Sequence, residues 1–425
     1  MHIQTRSPTP QPAFDAGTLR HEGSLGDRLM SQFLAWPLFM WLLRHFPRIP
    51  RWPVCIVARY DDVREVLSQP DVFEVPWANK MKLLQLRTPS PQPFVLGTDD
   101  AALHRCGQRR LMQVFRHEDI PRISGIAGRA TNHIVGDIDG EVDALKDLLA
   151  SVSLAIYRDY YGLHPQNRDF ILWLMAISTY TFNSAGPNLG AKGPAVAAAE
   201  CVAEIVGDAF ERARRLPDSD TVAARLVRLQ EHLQADKPGA LPDAALRCLL
   251  TGMLLGFGST LAMTVASILE TLLKNRQAML ASRHAAAEGD DEALARCLLE
   301  ALRLRPIGSG IWRVCAKDHT IAEGTHRATL IRKDKAVLVL LRSAMRDADR
   351  VRDGRRFDPS RPPSDSLVFG YGMHRCLGAP LVTGALVQIF KPLLVRGFRR
   401  APCGRGRIRH FGMVPERISL ILEPR

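Results

Sequence analysis

The sequence predicts a mainly α-helical protein with a small β subdomain. Long segments dense in alanine and leucine have helical spacing through the middle of the chain, over 120–304. Runs rich in β-branched residues are short and occur near the two ends. The 425 residues contain no internal repeat and no low-complexity linker. We therefore expect one large domain over 26–425, preceded by a flexible polar tail over 1–25.

The individual elements follow from local patterns along the chain. A short helix is expected from Tyr60 to Leu67, with Asp61 or Asp62 as its cap. The Pro-rich stretch 76–93 predicts an irregular loop, and a basic helix is expected from His104 to Phe115. The remaining expected helices are 25–46, 120–137, 143–161, 167–182, 194–215, 220–233, 242–274 and 291–304. The expected strands are 52–58, 336–341 and 418–422.

Charge and cysteine content exclude some classes of function. The formal net charge of +13 suits nucleic acid, an anionic membrane surface or an acidic protein partner. There is no zinc-finger spacing and no ladder of aromatic residues, so nucleic-acid binding is not expected. The eight cysteines form no CxxC pair, which predicts neither a disulfide framework nor a zinc site. A reducing cytoplasm suits such a chain best.

The N-terminal region has no signal-peptide pattern, and its most apolar stretch is 33–43. This stretch is shorter than the roughly 20 apolar residues that cross a bilayer. Two interpretations stay open. We favour a buried helix, but the segment 33–48 could lie on a membrane surface, with Arg44, His45 and Arg48 at its edge.

The segment 369–378 carries the most informative pattern. Three glycines surround one cysteine there: Gly370, Gly372 and Gly378. Glycines permit a tight turn and a close approach of the backbone to a flat group. Such a turn would aim backbone N–H groups at the sulfur of Cys376. Together with Arg375 and the start of a helix near Leu377, these groups would favour thiolate over thiol. A thiolate of this kind is a soft, electron-rich metal ligand.

This segment resembles the heme-binding signature of the cytochrome P-450 family, Phe-x-x-Gly-x-x-x-Cys-x-Gly. The signature is filled by Phe369, Gly372, Cys376 and Gly378. The resemblance implies the P-450 fold of the soluble, bacterial-like type. It also implies heme b as cofactor, with Cys376 as the axial and only protein ligand of the iron. Gly370 would line the heme, and His374 would bond a heme propionate.

Other family elements surround this signature. Glu300 and Arg303 match the family's Glu-x-x-Arg, and Arg361 matches the arginine that completes its ion network, so these three charges are expected to be structural. Arg313 and His104 lie where the family places heme-propionate ligands. The second arginine, expected four residues after the histidine, is replaced by Gln108. Arg109, one position later, could take its place only with a shift of the helix.

The family's distal helix carries Ala/Gly-Gly-x-Asp/Glu-Thr, whose acid–alcohol pair delivers protons to iron-bound dioxygen. Aligned with 255–260, the motif puts Gly256 at the small position, Gly258 at the acid position and Ser259 at the alcohol position, with Thr260 as a further hydroxyl. Gly256, Ser259 and Thr260 are thus the expected catalytic residues. The two glycines indicate space above the heme, and the missing acid puts ordinary oxygen activation in question.

Three functions follow from these features. The first is a monooxygenase that inserts one oxygen atom from dioxygen into an apolar small molecule. The alternative, motivated by Gly258, is a peroxygenase or a fatty-acid hydroperoxide isomerase or dehydratase on the same fold. The third is a heme-binding non-enzyme or degenerate homologue.

The monooxygenase needs an external electron source, because the chain has no room for a flavin or iron–sulfur domain. We expect a separate ferredoxin or flavodoxin-type donor, docking on a basic face near Arg375, Lys391 and Arg396. The expected substrate pocket is apolar and lined by the 76–93 loop, the helices near 170–200, the distal helix and the segment 307–311.

Overall fold

The computed structural model describes residues 54–85, 90, 93–166, 168–183, 185–186, 189–233, 240–308, 310–411 and 414–424. The expected tail 1–25, the expected helix 25–46 and the candidate membrane segment 33–48 lie outside the described residues. So do the start of the first strand and part of the 76–93 loop.

Helices make up most of the described chain. They are α1 Tyr60–Ser68, α2 Ala101–Val114, α3 Ile120–Asp137, α4 Ala150–Ile156, α5 Asp169–Phe182, α6 Leu189–Arg215, α7 Val222–Leu233, α8 Asp243–Lys274, α9 Arg276–Ala287, α10 Asp291–Leu304, α11 Leu341–Ala344 and α12 Ala379–Arg396. Turns of π-helix, Ala144–Leu149 and Tyr157–Tyr161, extend α4 on both sides. The expected helix over 143–161 is therefore present as one continuous helical segment.

The strands are short and form small sheets. They are β1 Val54–Val57, β2 Phe73–Glu74, β3 Glu141–Asp143, β4 Ile311–Cys315, β5 His319–Ile321, β6 Thr329–Ile331, β7 Ala336–Val339, β8 Phe398–Arg400, β9 Arg409–Phe411, β10 Val414–Arg417 and β11 Ser419–Leu422. The four-stranded sheet has the order β1-β7-β4-β2, with β1 and β7 parallel and the other pairs antiparallel. A second sheet has the order β3-β11-β8, and β5–β6 and β9–β10 are antiparallel pairs.

The core is organised around α8, which is apolar on most of its circumference and buried over most of its length. A helix that is hydrophobic all round belongs in the middle of a large protein. The α5, α6, α9 and α10 helices pack against it. Among the described residues, two helices, α8 and α12, are long and apolar enough to cross a membrane by length and composition alone. In α8, however, 78% of the apolar window is buried inside the protein, as in the core helix of a globular domain.

Local capping explains several helix starts. The Asp100 side chain accepts hydrogen bonds from the backbone N–H groups of Ala102 and Leu103, at 2.9 and 2.8 Å, and so caps α2. The prediction that Asp61 or Asp62 caps α1 is wrong. The N-cap of α1 is Arg59, which makes no side-chain capping bond, and Asp62 instead binds Arg327 at 3.0 Å. The 76–93 loop also contains a 3-10 helix, Lys80–Gln85.

Candidate functional site

The cysteine loop is a tight turn immediately before α12. Gly370 and Gly372 have positive φ angles of 74° and 71°, which side chains rarely tolerate. A Cβ on Gly372 would lie 2.2 Å from the carbonyl oxygen of Leu67, because the loop is pressed against the end of α1. The backbone N–H of Cys376 donates to the carbonyl of Phe369 at 2.9 Å and closes the turn. The loop therefore holds Cys376 in one position.

Cys376 is exposed as a residue, but protein atoms surround its thiol group. Burial among the surrounding protein atoms raises the pKa of this thiol above its ordinary value. The backbone N–H groups of Gly378 and Ala379 and the charge of Arg375 act in the opposite direction and are outweighed. The expected N–H groups and the expected cation are thus present. Their combined effect does not lower the pKa of the thiol in the protein alone, contrary to the expectation. A bound metal cation deprotonates a coordinating thiol, so the ligand chemistry of the loop is unaffected.

Three of the expected propionate ligands lie together. The rings of His104 and His374 are 5.1 Å apart, edge to face. Nε2 of His374 lies 2.8 Å from Oδ1 of Asp99, and Asp99 also acts electrostatically on Arg313. The guanidinium of Arg313 lies over the ring of Trp77, 5.6 Å from its centroid. Helix α2, strand β4 and the cysteine loop therefore converge on one cluster.

This cluster holds one buried cation, Arg313, and two histidines beside the carboxylate of Asp99. Arg313 is only 3% exposed, and its burial lowers its pKa to about 10 against the raising effect of Asp99. Burial likewise lowers the pKa of His104, with a further contribution from His374. Nδ1 of His374 is buried and has no hydrogen-bond partner among the described residues. A buried cation and an orphaned ring nitrogen suit a carboxylate-bearing group, and heme b carries two propionates. The residues present therefore fit heme b.

Arg109 does not join this cluster. The α2 helix is regular from Ala101 to Val114, so the fifth residue after His104 lies about 140° around the helix axis. Arg109 is accordingly exposed, and Gln108 occupies the position on the side of His104. The expectation that Arg109 could replace the family's second arginine is wrong, because the helix shift that it requires is not present.

The charges expected to be structural are brought into one buried network. Nε of Arg303 donates to Oε2 of Glu300 at 2.6 Å, and Nε of Arg361 lies 3.2 Å from Oε1. Arg303 also donates to the backbone carbonyls of Met345 and Gly354, at 2.7 and 2.8 Å. Each charge is thus paired and hydrogen-bonded, which is the condition for burying it. The network ties α10 to the chain that leads into the cysteine loop.

The distal helix has a different register from the predicted one. Between Met253 and Leu272, its accessible positions form one helical stripe, Gly256, Phe257, Thr260, Met263 and Ser267. Within the described residues, a Cβ on Gly256 would meet nothing within 4 Å. Thr260 lies one turn later on the same face, and its hydroxyl donates to the carbonyl of Gly256. Thr260, and not Ser259, therefore presents its hydroxyl on this stripe.

Ser259 is buried and points away from this stripe. Its hydroxyl donates to the carbonyl of Leu255 at 3.1 Å and lies 2.8 Å from the hydroxyl of Ser178 in α5. The assignment of Ser259 to the alcohol position is therefore wrong by one residue. With Thr260 as the alcohol, Ser259 itself occupies the acid position, and no carboxylate stands there.

Gly258 has a packing role. A Cβ at this residue would lie 2.1 Å from the hydroxyl oxygen of Tyr157 and 3.3 Å from Leu174. The assignment of Gly258 to the acid position is wrong, and so is its interpretation as space above the heme, because only Gly256 faces open space. The hydroxyl of Tyr157 is buried and makes no hydrogen bond within the described part of the chain.

Sequence reasoning missed three residues of the site. Ser178 and Trp77 reach it from segments that carry no family motif. Asp99 lies shortly before His104, but no local pattern indicates its contact with His374. Two cations of the expected basic docking face are also engaged elsewhere. Lys391 pairs with Asp291 at 2.8 Å, and the largely buried Arg396 donates to backbone carbonyls that include that of Ile138.

Comparison with known proteins agrees with this geometry. A family model described as Cytochrome P450 matches residues 195–410, about half of the chain. The erythromycin C-12 hydroxylase of Saccharopolyspora erythraea is 27% identical over 376 residues, which cover 86% of this chain and 87% of that protein. The cytochrome P-450 monooxygenase DoxA of Streptomyces peucetius subsp. caesius is 26% identical over 332 residues, 74% of this chain and 73% of that protein.

Solved structures show the same fold. A mutant of P450 EryK in complex with erythromycin B superposes with a TM-score of 0.74 at 23% identity, covering 93% of this chain and 97% of that one. The fold, the family model and the glycine turn around Cys376 agree, and P450 proteins use heme b as their cofactor. The chain therefore belongs to the cytochrome P450 family of heme-dependent oxidoreductases.

Proposed function

We propose that this protein is a heme-thiolate monooxygenase that inserts one oxygen atom from dioxygen into an apolar small molecule. The observation that carries the proposal is the pairing of Thr260 with the carbonyl of Gly256 on the open stripe of the distal helix. This hydroxyl stands where a dioxygen-using member of the family needs one. The relatives named above, a hydroxylase and a monooxygenase, support the same reaction class.

We propose that the sulfur of Cys376 would bind the iron of heme b. His104, His374 and Arg313 would bind the propionates, and Phe369, Gly370 and Gly378 would line the site around the cysteine. When bound, heme with a thiolate ligand supplies the activation of dioxygen and the cleavage of its O–O bond. The work of the chain is to hold the cofactor in one orientation. Arg313, stacked on Trp77, would neutralise one carboxylate in a site that excludes water.

Thr260 and Ser259 would divide the handling of protons between them. Because the Thr260 hydroxyl donates its own proton to Gly256, its oxygen can accept a hydrogen bond from a water in the pocket. The hydroxyls of Ser259 and Ser178 share a hydrogen bond in which either oxygen can be the donor, and Ser259 also lies within hydrogen-bond distance of the Leu255 carbonyl. This pair is neutral. It can position a proton chain, but it does not change charge with pH as a carboxylate does.

The substrate would be an apolar molecule. Phe257 and Met263 of the distal stripe and Ile307 and Ile311 before β4 are partly buried hydrophobic side chains that pack against the core. Pockets lined in this way take up apolar ligands and use few polar groups for orientation.

An acidic ferredoxin or flavodoxin-type protein would deliver the electrons. Arg105, Arg109 and Arg116 are exposed on the outer side of α2 around the exposed Met112. This side is close to the cysteine loop, because Phe115 at the end of α2 lies 3.6 Å from the position of a Cβ on Gly378. Together with the exposed Arg375 it forms a basic docking face, so turnover should fall with rising salt.

We also propose a cytoplasmic location, as expected for a chain in which all eight cysteines are free thiols. We propose no binding of nucleic acid.

The direct test of the ligand is the reduced carbon monoxide spectrum of native protein and Cys376→Ser. We expect the strongly red-shifted Soret band that sulfur ligation produces, and its loss in the variant. Cys403→Ser, at an exposed cysteine, is the matched control and should keep the band. A red-shifted band in Cys376→Ser would show that the assignment of the ligand is wrong.

A second candidate function is peroxide chemistry, because Ser259 leaves the acid position without a carboxylate. Product formation should be compared with a ferredoxin–reductase pair and with hydrogen peroxide or a lipid hydroperoxide alone. Efficient turnover with peroxide and none with the reductase pair would favour the peroxygenase or the hydroperoxide isomerase or dehydratase. The opposite result favours the monooxygenase.

A further inference from the structure

A second cleft lies away from the cysteine loop and the distal stripe. It has a volume of about 90 Å³ and lies between the chain that follows Tyr157–Tyr161, the C-terminal end of α6 and the connection to α7. Its polar lining residues are Arg158, His164, Arg212, Ser219 and Thr221. No residue of the proposed heme site contributes to it. It is large enough for several water molecules or one phosphate-sized group.

Positive charge in the cleft is incompletely balanced. Arg158 is held by Asp159, through bonds of 2.7 and 3.1 Å from Nε and Nη2. Nε of Arg212 is buried without a hydrogen-bond partner among the described residues. Burial lowers the pKa of His164, and the charges of Arg212 and Arg158 lower it further, whereas Asp159 raises it. Arg158 is thus paired with Asp159, whereas Arg212 lines the cleft with an unpartnered Nε–H group beside the imidazole of His164.

The backbone holds the cleft in shape. Gly162 has a φ of 83°, and a Cβ there would lie 2.7 Å from the hydroxyl of Thr221, so these two walls touch directly. The residues of α6 that face the cleft beside Arg212 are the small Ala209 and Ala213. They leave room that longer side chains would fill. The side chain of Arg212, whose Nε–H group has no partner among the described residues, therefore lines a pre-formed space.

We propose that this cleft is a binding site for a tetrahedral oxyanion, either inorganic phosphate or the phosphate group of a small ester. Arg212 and His164 donate to the anion, Arg158 supplies further positive charge, and the hydroxyls of Ser219 and Thr221 complete the polar wall. Planar and tetrahedral oxyanions are the groups that guanidinium donors bind most strongly. The site is independent of the proposed monooxygenase reaction.

The test uses the heme-loaded full chain and its thermal unfolding. Inorganic phosphate is titrated against potassium chloride at matched ionic strength, with glycerol phosphate as a second arm. A ligand that binds only the folded state raises the midpoint with the logarithm of its concentration above its Kd. We expect such a rise with phosphate. A comparable Kd for glycerol phosphate would identify a site that accepts phosphate esters. Much weaker binding of glycerol phosphate would identify a site for the free ion.

Variants of α6 supply the decisive comparison. Arg212→Gln should weaken phosphate binding roughly tenfold or more, the size of effect expected when a charge-assisted hydrogen bond is lost. Arg215→Gln removes an exposed arginine of the same turn, which pairs with Glu211, and should leave the titration unchanged. Equal phosphate titrations in these two variants would overturn the proposal, and so would a phosphate effect no larger than that of chloride.

His164→Gln keeps the proposal testable should Arg212→Gln fail to fold. A bound anion favours the imidazolium form of His164, so binding should strengthen as pH falls through the lowered pKa of this residue. Sulfate, which stays a dianion over this range, is the probe for the pH series. Native protein should show the pH dependence and His164→Gln should not. The same slope in both would count against the site.

Discussion

The contact between Gly258 and Tyr157 gives a sharp prediction about the distal helix. A methyl group at Gly258 would lie 2.1 Å from the tyrosine oxygen, where ordinary contact begins at 3.4 Å. Forcing a methyl into a packed core costs about 1–3 kcal/mol. The same Gly→Ala change inside a helix contributes about 1 kcal/mol of stability. Gly258→Ala should therefore range from neutral to about 2 kcal/mol less stable than native.

Gly256→Ala is the matched control, two residues away in the same helix. It makes the same gain in helix propensity, and its Cβ meets no described atom within 4 Å, so it should be about 1 kcal/mol more stable than native. Because the propensity gain is common to both variants, their difference isolates the clash at about 1–3 kcal/mol.

The assay is chemical and thermal unfolding of the heme-loaded protein, followed by circular dichroism. Tyr157→Phe removes a hydroxyl that lacks a partner among the described residues, so alone it should be neutral or stabilising. Combined with Gly258→Ala it should restore most of the lost stability, a coupling that a double-mutant cycle measures. Equal stability of Gly258→Ala and Gly256→Ala, or no rescue by Tyr157→Phe, would refute the reasoning.

Three further predictions concern buried polar groups. Glu300→Gln should lower stability by about 3–5 kcal/mol, because it leaves Arg303 buried without its charge partner, and heme content on purification should fall with it. Burial alone would raise the pKa of Asp119, but hydrogen bonds from Arg225 and Tyr160 outweigh it and the pKa is lowered. Asp119→Asn should therefore be less stable than native protein near neutral pH, and this difference in unfolding free energy should disappear as pH falls below about 4. Denaturant midpoints measured over this pH range check it. Ser178→Ala should lower stability by about 1 kcal/mol and increase the fraction of the supplied electrons that is recovered as hydrogen peroxide instead of product.

Two of these predictions have a comparison variant nearby, and the third has a sign that can be checked. Glu292→Gln, at an exposed residue of α10 that pairs with Arg296, should be nearly silent, and a loss equal to that of Glu300→Gln would contradict the network argument. A stability difference for Asp119→Asn that grows toward acid pH would reverse the expected sign. Thr260→Val should release more hydrogen peroxide than Ser178→Ala. The reverse order would show that the Thr260 hydroxyl is not the one that matters most for proton delivery.

The features that sequence predicted best are local. The glycine turn around Cys376 needs only ten consecutive residues, and the pair Glu300–Arg303 needs only one helical turn. Helix spacing predicted α8 to within one residue at its start. The N–H groups near the sulfur were also foreseeable, but their effect on the pKa of Cys376 was not, because the opposing burial comes from the packed surroundings.

The errors have physical causes of two kinds. The distal motif was aligned by matching residue types, whereas the spacing of four residues between Gly256 and Thr260 would have shown that these two share a face. The prediction for Arg109 was wrong for the same reason, because in a regular helix Arg109 points away from His104. Asp99 and Ser178 contact residues far away in the sequence, His374 and Ser259. Tertiary packing creates such contacts, and no local sequence pattern predicts them.

The contact between His374 and Asp99 joins residues 275 positions apart. The cluster that also includes His104 and Arg313 therefore draws on an early helix, a late strand and the loop before α12. During biosynthesis, the edge that would grip the propionates cannot exist until nearly the whole chain has left the ribosome. A truncated product that ends before residue 374 would contain most of the helices and still lack this grip. We infer that cofactor loading is a late event, and that a nascent or clipped chain should be recognisable by its failure to retain heme.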